Sequence, residues 1–112
     1  MGKFKEVWKE VSEIDKEDDC LLSEAVCKFV EEFGELSTEI NKVIGRKSTN
    51  ESKEDIRKNI LEESADVIQN LLLIFNRLGL EPDELLDKVR VKNEKWKSVI
   101  PLRKRNEIWK YQ

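Results

Sequence analysis

Apolar residues recur along this chain at intervals of three and four in four successive stretches, and no stretch shows the single alternation of a half-buried strand. Phe4, Val7, Trp8, Val11 and Ile14 predict a first amphipathic helix that ends in the acidic run from Asp15 to Asp19. A second begins near Leu22 and carries Val26, Phe29, Phe33, Leu36, Ile40, Val43 and Ile44 on what its period marks as the core side. It stops at Gly45, a good residue beyond a helix end, after a length of about 35 Å. Residues 46–54 hold no apolar side chain and read as an exposed loop. The third helix starts near Ser52 or Lys53, runs through Ile56, Ile60, Ala65 and Leu71, and ends at Gly79. Between Val67 and Phe75 its apolar residues occupy more than one face, which predicts burial by several neighbouring helices or by a second subunit. Pro82 opens a fourth helix with Leu85, Leu86, Val89 and Trp96, and Pro101 is expected to end it at the latest.

The expected architecture is therefore all-α, with a long antiparallel central pair formed by the second and third helices. A chain of 112 residues is expected to be a single domain, 1–112, with its core in 21–97. The tail 98–112 keeps Ile108, Trp109 and Tyr111 among basic residues and is suited to packing on a partner subunit. Charged residues make up 40% of the chain, yet the formal net charge is only -3, which gives no reason to expect a nucleic-acid partner. Cys20 and Cys27, seven residues apart, lie beyond disulfide reach within one helix, and without histidine they make no zinc site. Ordinary thiols, no apolar run of spanning length and no signal-peptide pattern predict a soluble, cytoplasmic protein without membrane contact.

Two acidic motifs change this picture: Glu31 to Leu36 reads EEFGEL, and Glu62 to Asp66 reads EESAD. Each sets two carboxylates three residues apart on one helix face, Glu32 with Glu35 and Glu63 with Asp66. Glu39 extends the first stripe, while Glu62 and Asn70 flank the second. In so acidic a chain a stripe of this kind is commonly a solvated face. Here, however, the acids adjoin Phe33, Leu36, Ala65 and Val67, and Gly34 sits inside a helix where it costs about 1 kcal/mol relative to alanine. Four clustered carboxylates repel one another unless a cation joins them, and oxygen donors alone favour Mg²⁺, with Mn²⁺ the other choice, over Zn²⁺.

The pattern Glu32-x-x-Glu35 followed, 27 residues on, by Glu63-x-x-Asp66 resembles the signature of the MazG-like all-α nucleoside triphosphate pyrophosphohydrolases. The similarity extends over residues 21–96. It implies a bundle completed by homodimer or homotetramer formation, and a Mg²⁺ site made by Glu32, Glu35, Glu63 and Asp66. The implied reaction splits a nucleoside triphosphate into nucleoside monophosphate and pyrophosphate, for nucleotide-pool clean-up. By the same resemblance Asn70 would contact the nucleotide, Lys92, Asn93 and Lys97 would hold phosphates, and Trp8 would stack on a base. The helical spacing of Trp8 with Phe4 and Val11 instead predicts a core position. Rival readings are phosphoribosyl-ATP, dUTP or dCTP as the specific substrate, and a non-catalytic helical interaction module.

Overall fold

A computed structural model describes residues 2–103, with four α-helices and no strand among them: α1 Gly2–Asp15, α2 Leu22–Val43, α3 Lys53–Arg77 and α4 Pro82–Arg103. The helix ends follow local chemistry. Gly45 and Gly79 adopt φ of +80° and +75°, the left-handed conformation that lets the chain leave α2 and α3. Beyond each glycine an amide reaches back across the helix end, Arg46 N to the Asn41 carbonyl and Leu80 N to that of Phe75. At the start of α3 the Ser52 hydroxyl accepts from the Asp55 amide at 3.1 Å. The Glu24 carboxylate does the same for the Leu21 amide ahead of α2.

The chain divides into two compact units at Leu80. In the first, α3 packs against both α2 and α1. Trp8, 4% exposed, is clamped between the rings of Phe4 and Phe75, with centroids 5.8 Å and 6.1 Å away. Farther along, Arg77 fixes the end of α1. Its Nη2 and Nε donate to Asp15 at 2.7 Å and 3.0 Å, its Nη1 donates to the Cys20 carbonyl, and Asn76 donates to Asp15 as well. The guanidinium holds the Asp15 carboxyl below its usual range, and Asp15 in turn raises Arg77.

The several-sided apolar pattern of α3 is covered in part by neighbouring helices of the chain, one of the two expected outcomes: Leu72 and Ile74 are buried and Val67, Leu71, Leu73 and Phe75 half-buried, while Ile68 is 52% exposed. On α2 one expectation changes, because the apolar line faces the core only in part. Ala25 and Glu32 are the buried residues of that helix and Phe29, Leu36 and Ile44 are half-buried, whereas Leu22, Val26, Phe33, Ile40 and Val43 are exposed. The reason lies in the partners that α3 offers, because its Asn59, Glu63 and Asp66 meet the Glu32 and Glu39 line.

The second unit contributes α4, which continues through Pro101 to Arg103 instead of ending before the proline. Proline removes a single rung of the helix, and helical residues on both sides preserve the rest. Ile108, Trp109 and Tyr111 of the tail lie outside the described residues. None of the described helices is long and apolar enough to cross a membrane.

Replacing Trp8 with alanine should cost about 3 to 5 kcal/mol, the usual loss for deleting a large buried aromatic. Urea unfolding of the variant measures it, and a loss below about 1 kcal/mol would contradict the clamped position of this ring.

Candidate functional site: a carboxylate cluster between two helices

The contacts between α2 and α3 run in reverse numerical order. Glu39 meets Asn59, Glu35 meets Glu63, and Glu32 meets Glu63 and Asp66. Residues 32, 35 and 39 share a helix face, as do 63 and 66, so the packing pools the acids of both motifs. Carboxylate oxygens of Glu32, Glu63 and Asp66 lie within 4.8 Å of one another, and the same holds for Glu31, Glu32 and Glu35. Glu32 belongs to both groups and is 5% exposed.

Counter-charge around the cluster is sparse. Lys28, a half-exposed residue one turn before Glu32, donates to its Oε1 at 3.0 Å and to Glu31 at 3.4 Å. This pairing raises Lys28, chiefly through Glu32. Glu32 Oε2 and Glu63 Oε2 are buried and receive no hydrogen bond. An ionised carboxylate oxygen in that position lacks both water and donor, which is costly. Glu63 responds by shifting up to about 7, first because the Glu35 carboxylate can accept its proton, then through burial and the charges of Glu35, Glu32 and Asp66.

The neighbouring acid of the first stripe has a different occupation. Glu39 accepts from Lys42 at 2.9 Å and from Asn59 at 3.2 Å. Lys42 also pairs with Glu51 at 2.5 Å, and Asn59 donates to Glu51 at 3.0 Å. These bonds form a clasp that ties the 46–52 loop to the ends of α2 and α3. Lys42 holds Glu51 below the usual carboxylate range. Glu62 is exposed and joins neither carboxylate group.

Of the other residues singled out in the sequence, Asn70 is one turn beyond Asp66 and donates to the Asp66 carbonyl at 3.0 Å. It also lines an open cavity of about 220 Å³ with Val11, Ile14, Asp15, Asp18, Gln69 and Leu73. Trp8 is a core residue, as its spacing predicts, and has no exposed ring face to offer a base. Lys92, Asn93 and Lys97 are exposed on α4, in the unit beyond Leu80. Gly34 has nothing within 4 Å of where a Cβ would stand, so no close neighbour in the chain explains it. Sequence reasoning passed over Lys28 and Glu31. The signal for Lys28 was its place four residues before Glu32, the distance at which an ammonium and a carboxylate meet on a helix.

Comparison with protein-family models, curated proteins and solved structures gives no match in any of the three.

Because Glu63 is raised, it favours the folded state most at pH below its unfolded value near 4.5, and that contribution is lost as pH rises through about 7. In metal-free buffer, thermal unfolding between pH 5 and pH 8.5 should therefore show a decline that Glu63→Gln reduces. An unchanged pH profile in the variant would mean that the Glu63 proton is not coupled to folding.

Proposed function

We propose that this chain is a divalent-cation-dependent nucleoside triphosphate pyrophosphohydrolase whose site lies between the antiparallel helices α2 and α3. The observation that carries this reading is the pair of buried carboxylate oxygens without donors, Glu32 Oε2 and Glu63 Oε2, inside the motif pair that resembles the MazG-like signature. The donor set fits a hard cation: it contains only carboxylate oxygens, its charge exceeds what Lys28 offsets, and two of its oxygens await a partner.

Glu32, Glu35, Glu63 and Asp66 would hold Mg²⁺, with Mn²⁺ as a substitute. When bound, the ion supplies charge neutralisation for phosphate oxygens and acidity for a bound water. Lys28 pairs with Glu32 and fixes its orientation through Oε1. One carboxylate of the cluster orients the attacking water and takes its proton. The bond between the α and β phosphates breaks, leaving nucleoside monophosphate and pyrophosphate.

Asn70 supports placing the nucleoside in the adjoining cavity, since it both lines that cavity and bonds to the Asp66 carbonyl. At about 220 Å³ the cavity is smaller than a typical site for a whole drug-sized ligand and suits a base or a sugar. Phosphoribosyl-ATP, dUTP and dCTP belong in the substrate panel alongside the common triphosphates.

Pyrophosphate release from such a panel with Mg²⁺ tests the reaction directly. Glu63→Gln and Asp66→Asn should each lower turnover by at least about a hundredfold while leaving helical content intact, because these groups serve the site and not the apolar core. Glu39→Gln should reduce turnover far less, since Glu39 is engaged in the clasp. Full activity in the Glu63 and Asp66 variants would refute the assignment.

A ligand that binds only the folded state raises its melting temperature. Mg²⁺ or Mn²⁺ should do so for the native chain, and more strongly at pH 8 than at pH 5.5, where protons compete for the same oxygens. An equal response in Glu63→Gln and the native chain would point to nonspecific screening.

A further inference from the structure

We propose that the loop joining α2 to α3 is a phosphate anchor, in which Arg46 and Lys47 hold the β,γ end of a triphosphate whose nucleoside lies at the far side of the carboxylate cluster. This inference takes the identity of the anion from the reaction proposed above and adds the direction in which the substrate lies. Asn59, Glu63, Asp66 and Asn70 follow one another at four, three and four residues, so they form a single row on α3. Asn70 lines the cavity at one end of the row, Glu63 and Asp66 belong to the cluster in the middle, and Asn59 binds the loop at the other end. Asn59 and Glu63 are one turn apart, about 6 Å along the helix axis. A ligand that starts in the cavity and crosses the cluster is therefore led to the loop.

A loop without apolar side chains has no packing to fix it, and here side-chain bonds do so instead. Glu51 accepts from Lys42, from Asn59 and from the Thr49 hydroxyl, while its own amide donates back to Thr49. The amides of Arg46 and Lys47 both donate to the Asn41 carbonyl, which fixes the backbone that carries the two cations. Their side chains are exposed and make no hydrogen bond or ion pair with the described residues. Lys42 is occupied by Glu39 and Glu51, so Arg46 and Lys47 are the charges this end of the helix pair leaves open to a ligand.

The sign of the charge identifies the ligand as an anion. Residues 42–58 carry six basic and three acidic side chains, in a chain whose formal net charge is -3. The physical need for such a stretch beside the cluster is plain. Clustered carboxylates repel a polyphosphate, and a divalent ion offsets only part of the negative charge that meets there. Lys28 is already bonded to Glu31 and Glu32. A guanidinium and an ammonium at the loop supply donors of the right sign for terminal phosphate oxygens. A basic loop that serves only to keep the protein in solution has no use for a tether to the helix face that bears the site.

Product inhibition separates the two ends of the substrate. With a triphosphate that the native chain turns over, Arg46→Gln and Lys47→Gln should each raise KM and weaken inhibition by pyrophosphate about tenfold, the loss expected for one charge-assisted contact. Inhibition by the nucleoside monophosphate, which lies at the other end, should change by less than about twofold at physiological salt. The melting temperature should not move, because both side chains are exposed and unbonded. Equal weakening towards both products would reveal a general effect of charge and overturn the inference, as would unchanged inhibition by pyrophosphate. Calorimetric titration with pyrophosphate and Mg²⁺ reads the anchor without turnover, in the native chain and in a variant carrying both substitutions. Binding that the double variant loses would support the anchor even if no triphosphate is hydrolysed. Equal binding in the two, or none by the native chain, would overturn it and leave any measured hydrolysis standing.

Discussion

Among the described residues Glu32 is the one charged side chain that is fully buried, and the arrangement of α2 against α3 depends on where it goes. A carboxylate in that position must find donors, share a proton or meet a cation. Lys28 satisfies one oxygen, and the second faces the carboxylates of α3. The helix interface is thus shaped around an electrostatic demand that packing leaves open. Cores normally avoid such demands, and sites of function are where they are tolerated.

The same rotation of α2 gives the helix two distinct sides. One presents acids to α3, and the other leaves Leu22, Val26, Phe33, Ile40 and Val43 exposed. The site and these exposed apolar residues are therefore consequences of a single choice of helix orientation. Turning α2 to bury Phe33 and Ile40 against α3 would carry Glu32 away from Glu63 and Asp66. Stability of the single chain and assembly of the carboxylates pull in opposite directions, and the structure favours the carboxylates.

Much of the fold was legible from local chemistry. Gly45, Gly79, Ser52 and Pro82 mark helix boundaries because each has one conformational or hydrogen-bonding property that an interior residue lacks. The pairing of the two acidic motifs could also be anticipated, because a three-residue spacing places carboxylates on one face. The orientation of α2 could not. Apolar periodicity locates a stripe without saying which neighbour covers it, and here the covered line carries Ala25, Glu32 and Glu39. Contacts between residues distant in sequence were also out of reach, such as the hold of Arg77 on Asp15 and on the Cys20 carbonyl. At Pro101 the rule that proline ends a helix gave way to the helical preference of the residues around it.

The uncompensated oxygens of Glu32 and Glu63 also bear on how long a folded molecule lasts. Unfolding returns both to water, so the cluster lowers the cost of opening whenever nothing neutralises it. Proteases act on opened chains, and their access scales with that population. A proton or another neutralising partner at these carboxylates should therefore also slow proteolysis of the folded chain.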